Sequence, residues 1–224
     1  MQPPPAIIRQ LHADERAYAA TRDPRFARDR QALLRSLGRD ARLAAAVVRL
    51  DPAERDDIIA RRDLQRLAAK SPPLKTRIRV GAPAPRPRLL TWYRDGQRRF
   101  GVRWQLLAAV NFVESAFGKV RNTSTAGAQG PMQFLPATWR AYGLGGDVHD
   151  PHDAILGAAH YLAANGGAHD ERRALLRYNH STLYVDAVLR YAHRISHDPD
   201  AFGEYYAWDV YVRTPSGERR VTVP

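Results

Sequence analysis

The sequence predicts a mainly α-helical protein that ends in a small β-hairpin. Three observations carry that prediction. Apolar residues recur at helical spacing from Leu89 to Ile195, Asp-Pro pairs stand where helices begin, and alternation of apolar and polar residues appears only after Ile195.

The balance of 44% hydrophobic and 26% charged residues in 224 is that of a globular protein, which excludes wholesale disorder. No window approaches the roughly 18 uninterrupted apolar residues of a membrane span, so no integral membrane segment is expected. Met1-Gln-Pro-Pro-Pro5 lacks the basic, apolar and small-residue zones of a secretory signal. With no cysteine, the chain has no disulfide framework, no Cys-ligated zinc site and no thiol nucleophile. A net charge of +12 suits an anionic partner such as nucleic acid, a membrane surface or a wall polymer.

That charge is concentrated in the first third: 20 basic against 10 acidic residues over 1–88, but 15 against 13 over 89–224. Residues 1–70 read as a basic helical region. Asp23-Pro24 and Asp51-Pro52 each set a capping carboxylate before a first-turn proline, with Glu54 completing a capping box on Asp51. The second of these helices sets Ile58, Ile59, Leu64, Leu67 and Ala68 near one stripe, with Arg55, Arg61, Arg62 and Arg66 over the rest. Asp56, Asp57 and Asp63 interleave with those arginines, and no aromatic stacking platform or recognition motif accompanies them, so nucleic acid is not expected as a partner. Residues 71–88, from Ser71-Pro-Pro-Leu74 through Pro83-Ala-Pro85-Arg-Pro87, read as a Pro-rich linker.

Residues 89–200 read as a compact helical domain: Leu89–Phe100, Trp104–Phe117, a Gly/Pro/Thr-rich loop, Pro136–Tyr142, Pro151–Asn165, Glu171–Tyr178 and Leu183–Ile195. Asp150-Pro151 with Asp153 marks a helix start, and Asn165-Gly-Gly167 a stop. Residues 201–224 read as the hairpin, with Tyr206, Trp208, Val210 and Val212 alternating, a turn at Thr214-Pro-Ser-Gly217 and a return strand at Arg220-Val-Thr-Val223.

Within the almost wholly apolar helix from Trp104 to Phe117 stands one carboxylate, Glu114. Burial there raises the pKa of a lone acid, as a general acid near neutral pH requires. The same position also suits a helix-end carboxylate facing solvent or pairing with an arginine, and the helix alone leaves both readings open. The loop that follows, Gly127-Ala-Gln-Gly130-Pro-Met-Gln133-Phe-Leu-Pro136-Ala-Thr-Trp139, has glycines that let backbone approach a ligand and an amide, Gln133, to meet a polar one.

Taken in order, Glu114, Ser115, Ser124, Gly127, Ala128, Met132, Gln133, Pro136 and Tyr178-Asn179 resemble the soluble lytic transglycosylase family of the lysozyme superfamily over roughly residues 89–196. Two features depart from its commonest pattern: the spacer from Glu114 to Ser124 is one residue longer, and Pro131 replaces Leu. Gly-Pro-Met-Gln-Phe followed by Pro-x-Thr-Trp is instead similar to the membrane-bound lytic transglycosylase B group and its actinobacterial relatives.

The resemblance implies a lysozyme-like catalytic domain that cleaves the β-1,4 bond between N-acetylmuramic acid and N-acetylglucosamine of peptidoglycan without water, leaving 1,6-anhydro ends. It implies Glu114 as the single acid and base. By motif position, Ser115, Ser124, Met132, Gln133, Leu135, Tyr178 and Asn179 bind substrate, with Ser124 near the N-acetyl group and the Tyr178 hydroxyl on Glu114. It also implies no cofactor and no metal, an extracytoplasmic location with a signal or anchor trimmed from this chain, and peptidoglycan glycan strands as the partner. The N-terminal arginines are then expected to face anionic wall polymers.

A second acid about 5–9.5 Å from the first is what hydrolytic glycosidases need. No Asp or Glu lies between Ser115 and Thr138, where a lysozyme-type hydrolase would hold it; Asp147, Asp150 or Asp153 folding back is the alternative. A non-catalytic wall-binding protein of the same fold is the other. His149 and His152 flank a helix cap rather than forming a metal motif, and Ser115 with His160 lacks a nucleophile elbow. Trp92, Trp104, Trp139, Tyr142 and Tyr161 offer sugar-stacking rings at spacing that equally suits a core. Tyr205, Tyr206, Trp208 and Tyr211 are read as covering the helical core, with glycan contact as the alternative.

Overall fold

The structure is a computed structural model that describes residues 3–72, 77–215, 217–221 and 223. The helices are α1 (Pro4–Thr21), α2 (Pro24–Arg39), α3 (Ala41–Leu50), α4 (Arg55–Lys70), α5 (Arg86–Phe100), α6 (Trp104–Ser115), α7 (Pro136–Tyr142), α8 (Pro151–Ala164), α9 (Glu171–Tyr178), α10 (Thr182–His197) and α11 (Ala201–Ala207). One hairpin, β1 (Val210–Thr214) with β2 (Gly217–Val221), pairs antiparallel from Val210 opposite Val221 to Thr214 opposite Gly217. The chain divides into two compact units: Met1–Pro72 with Asp186–Trp208, and Pro73–Val185 with Asp209–Pro224. This differs from the expected segmentation into 1–70, 71–88, 89–200 and 201–224, because residues 186–208 complete the core of the N-terminal helices.

In the first unit, Leu11, Leu34, Leu37, Val47, Ile58, Tyr191, Tyr205 and Trp208 are buried. Asp23 and Asp40 cap α2 and α3 by accepting backbone N–H groups two or three residues on. Asp51 caps the 3-10 turn Pro52–Glu54, but the expected capping box is absent. The Asp51 amide donates to Val47 O, and the Glu54 carboxylate turns inward to the fully buried Arg30, 2.7 Å away. Arg30 also meets Asp57 at 2.7 Å and Glu204 at 3.4 Å. Arg194 reaches Asp57 (3.5 Å), Glu204 (3.8 Å), Asp198 (2.8 Å) and Glu15 (2.5 Å), and the Tyr205 hydroxyl donates to Asp57.

This cluster corrects the expected face of α4. Asp57 and Asp63 are buried beside Ile58 and Ala60, whereas Ile59, Leu64 and Leu67 are only part-buried. Burying Asp57 is tolerable because two guanidiniums hold its charge, which keeps its pKa below the ordinary carboxylate range despite desolvation. It also corrects the expected hairpin start. Tyr205 and Tyr206 lie on α11, and Tyr205 and Trp208 stack edge-on with Tyr191 at 4.8–6.5 Å in the core. Their spacing of three is helical, not alternating, so their rings are core rather than glycan platforms. Ser216 of the expected turn and Thr222 of the expected return strand lie outside the described residues.

In the second unit, α5, α6 and α8 bury Leu89, Tyr93, Leu106, Leu107, Val110, Ile155, Ala158 and Leu162. Gly96 permits the close approach: a Cβ there would stand 2.9 Å from Leu107 and 3.1 Å from Ala159. Helix α5 starts three residues before the expected Leu89, since Pro87 sits in a first turn that needs no amide from it. Residues 73–76 of the expected linker lie outside the described residues. Residues 77–82 are not a free linker but a strap: Val80 bridges Val120, Gly81 N donates to Lys119 O, and Arg121 N donates to Arg79 O. Residues 182–185 of α10 are counted with this unit.

Candidate active site

Helix α6 ends at Ser115, two residues before the expected Phe117. Ala116, Phe117 and Gly118 then adopt left-handed backbone, with φ of 52°, 65° and 85°. Two non-glycine residues there cost about 1–2 kcal/mol each, which the buried ring of Phe117, stacked 5.3 Å from Phe112, helps to offset. The reversal leaves Glu114 on the last turn. The Tyr184 hydroxyl donates to Glu114 Oε1 at 2.6 Å. Although Glu114 as a residue is part-exposed, desolvation of its carboxyl raises the pKa from 4.5 to about 7, against the smaller lowering effect of the Tyr184 bond. Burial, reinforced by the charge of Glu114, pushes the Tyr178 and Tyr184 hydroxyls well above their ordinary value, so both stay protonated donors.

Below Glu114 a buried polar network fixes the following loop. Tyr93 donates to Asn111 Oδ1 (2.6 Å), while Asn111 Nδ2 (2.8 Å) and Ser115 Oγ (2.6 Å) both donate to Pro131 O. Ser115 Oγ in turn accepts from Gly118 N at 2.8 Å. Gly130, at φ 73°, lies where a Cβ would fall 1.9 Å from Val148 O. Gln133 also holds positive φ, at 51°, and its amide nitrogen donates to Gly130 O (2.9 Å) and Asn122 O (3.4 Å).

The expected site residues therefore separate. Met132 is fully buried, and its carbonyl accepts the Tyr178 hydroxyl at 2.6 Å. The bond expected from Tyr178 to Glu114 is thus corrected: Tyr184, six residues on, makes it. Ser115 is buried with its hydroxyl spent on the loop, and Ser124 Oγ accepts from Ala128 N at 2.9 Å, closing the 124–128 turn. Asn179 accepts from Ser181 N at 3.1 Å and precedes α10. Gln133 is part-buried and Leu135 exposed.

Rings continue from this loop. Phe134 meets Trp139 and Tyr178 edge-on at 5.2 and 6.0 Å, Tyr178 meets Tyr161 at 5.4 Å, and Tyr161 meets Tyr142 at 4.9 Å. Trp139 is seated over Gly143 and Gly157, where added Cβ atoms would stand 2.5 and 2.7 Å from its ring.

The three acids that could have folded back are engaged elsewhere. Asp150 caps α8, Asp153 Oδ2 accepts from Asp147 N, and Asp147 Oδ1 accepts from His149 N. Among the described residues, burial and Tyr184 are the influences on Glu114, and no second carboxylate is among them.

Tyr184 and Asn111 were missing from the sequence reading. Asn111 carried a signal in being the other polar residue deep in an apolar helix; Tyr184 opens an amphipathic helix and carried none.

Residues 92–198 match the family model described as "Transglycosylase SLT domain". The chain is 29% identical over 126 residues to a membrane-bound lytic murein transglycosylase F of Thiobacillus denitrificans, covering 53% of this chain and 26% of that protein. It is 27% identical over 122 residues to a membrane-bound lytic murein transglycosylase F 1 of Alkalilimnicola ehrlichii, covering 51% and 24%. The chain thus spans about a quarter of the length of these relatives. No solved structure matches significantly.

Proposed function

We propose that this chain, whose residues 92–198 match the transglycosylase SLT domain model, is a peptidoglycan lytic transglycosylase with Glu114 as its one acid and base. The observation that carries the reading is a carboxyl with a pKa of about 7, held by one tyrosine, with no second carboxylate among the described residues acting on it.

Tyr184 occupies Oε1 and leaves the other oxygen to meet the glycosidic oxygen between N-acetylmuramic acid and N-acetylglucosamine. Protonated Glu114 gives its proton to that oxygen as the bond to C1 breaks. The Glu114 carboxylate, supported by Tyr184, then takes the proton of the muramyl C6 hydroxyl while O6 bonds to C1. The 1,6-anhydro ring closes, no water is consumed, and Glu114 ends protonated for the next cycle.

Gln133, Leu135, Asn179 and Tyr178 line the cleft in this reading, with Met132 presenting its carbonyl to Tyr178. Ser124 and Ser115 act by holding loop shape, and Trp139, Tyr142 and Tyr161 offer ring faces or edges to sugar. The substrate places the enzyme outside the cytoplasm. Exposed arginines of the first unit serve anionic wall polymers, a contact that weakens steeply with salt. No helix among the described residues is long and apolar enough to cross a membrane.

Mass spectrometry of digested peptidoglycan tests the reading. Products lighter by one water, about 18 Da, than hydrolysed muropeptides, and absent with Glu114→Gln, are expected. Full-mass reducing ends point to hydrolysis, and no products from several wall types to a binding protein.

A further inference from the structure

One contact in the first unit stands outside the ion pairs of Arg30 and Arg194. The Asp51 carboxylate uses Oδ1 to cap the 3-10 turn, accepting from Ala53 N at 3.2 Å. Its Oδ2 is buried and accepts no hydrogen bond from the described residues, although His12 Nε2 stands only 2.7 Å away. An N–H aimed at an oxygen that close would bond it, so the axis of the ring nitrogen runs past Oδ2 rather than onto it. Two cis ligands of one metal ion show that arrangement. The nitrogen's axis runs to the ion, and the oxygen stands beside it, about 3 Å from the nitrogen for metal bonds of about 2.1 Å.

A third ligand is in place. Among the described residues, a ligand atom each from His12, Asp51 and Glu54 comes within 4.8 Å of the other two. Glu54 is buried and binds Arg30 Nη2 through Oε2 at 2.7 Å, which leaves its carboxylate further lone pairs to offer. The His12 side chain is 37% exposed, so an ion has a path in and water has access to a fourth position. One imidazole nitrogen with two carboxylate oxygens suits a borderline first-row cation, whereas Mg²⁺ and Ca²⁺ take oxygen ligands alone.

We infer that His12, Asp51 and Glu54 form a structural site for a divalent cation of the zinc type, tying α1 to the turn that precedes α4. His12 comes from α1, Asp51 from the end of α3 and Glu54 from the 3-10 turn, so one ion fastens three consecutive pieces of the first unit in a chain that has no cysteine to cross-link them. The site uses no residue assigned to glycan cleavage, and the inference stands apart from the reading of Glu114.

The test is isothermal titration of the full chain with zinc chloride, and separately with magnesium and calcium chloride, alongside His12→Ala and Asp51→Asn. Asparagine keeps the cap on Ala53 N, and His12 lies partly in solvent, so both variants are expected to fold, which circular dichroism checks. Expected is one tight zinc per chain, bound about tenfold or more weakly by each variant. Zinc is also expected to raise the urea midpoint of the parent and of neither variant, because it binds the folded chain alone. The His12 ring signals in NMR, assigned by their loss in His12→Ala, should move at one equivalent of zinc. Zinc held equally well by both variants places the ion elsewhere and overturns the site. Equal binding of magnesium or calcium overturns the role of the imidazole, and no zinc binding overturns the inference outright.

Discussion

The two units bury carboxylates in opposite ways. In the first, Glu54, Asp57 and Glu204 meet Arg30, and Arg194 also reaches Asp57 and Glu204, so each buried carboxylate has a counter-charge. In the second, Glu114 has one neutral hydroxyl and, among the described residues, no cation. The same side-chain chemistry becomes a structural tie where counter-charges converge, and a proton donor where they are withheld. Glu204 marks the border between the two: burial lifts its pKa to about 7 even though Arg30 and Arg194 pull it down. It can titrate, but it lies wholly inside the protein, whereas Glu114 is part-exposed.

Substitutions sharpen this contrast. The largest effect is expected from Glu114→Gln, which lowers glycan cleavage by roughly 10²–10⁴-fold, the range of a lost general acid. The same variant bears on stability. A carboxyl whose folded pKa is raised stabilises the fold fully below its unfolded value of 4.5, and that contribution is lost as pH rises through about 7. Glu114→Gln is therefore expected to unfold at higher denaturant than the parent at pH 8.5, by at most about 3 kcal/mol, and at nearly the same denaturant at pH 4. An equal difference at both pH values would contradict the buried-acid account.

The opposite sign is expected of Arg30→Met. Removing the cation leaves Glu54 and Asp57 buried without their nearest counter-charge, at a cost of about 3–5 kcal/mol in urea unfolding at pH 7. A neutral outcome there means the cluster is dispensable and the contrast between units collapses.

Next comes Tyr184→Phe. It removes the bond that favours ionised Glu114, so the alkaline limb of kcat/KM, which falls as pH rises through about 7, moves to higher pH while kcat drops about tenfold through lost positioning. A drop in kcat with an unmoved limb assigns Tyr184 to packing alone. The smallest effect is expected of Ser115→Ala. It leaves Gly118 N without its acceptor and one bond fewer on Pro131 O, for about 1–3 kcal/mol, with KM changing more than kcat because the Gln133 loop shifts.

How much of this was legible in the sequence follows from the range of each interaction. Caps at Asp23 and Asp150 were readable because their partners lie two or three residues away. Glu114 was readable because a carboxylate in an apolar helix is anomalous by itself. The inward turn of Glu54 and Asp57 was not, because their partners lie 24 or more residues away, and interleaved signs look the same on a solvated face as in a buried cluster. Nor was the replacement of Tyr178 by Tyr184. Both are tyrosines on the far side of the domain in sequence, and only the packing of α9 and α10 decides which hydroxyl reaches Oε1. Residues 77–82 read as linker because their partners, 119–122, are joined by backbone bonds that leave no mark on side-chain pattern.

The central claim is that Glu114 is a solitary acid that is about half protonated near pH 7. Its direct test is a ¹³C NMR pH titration of the glutamate carboxyls, with the Glu114 resonance assigned by its loss in Glu114→Gln. A midpoint near 7, moving upward in Tyr184→Phe, is the predicted result; a midpoint near the ordinary 4.5 would contradict the account.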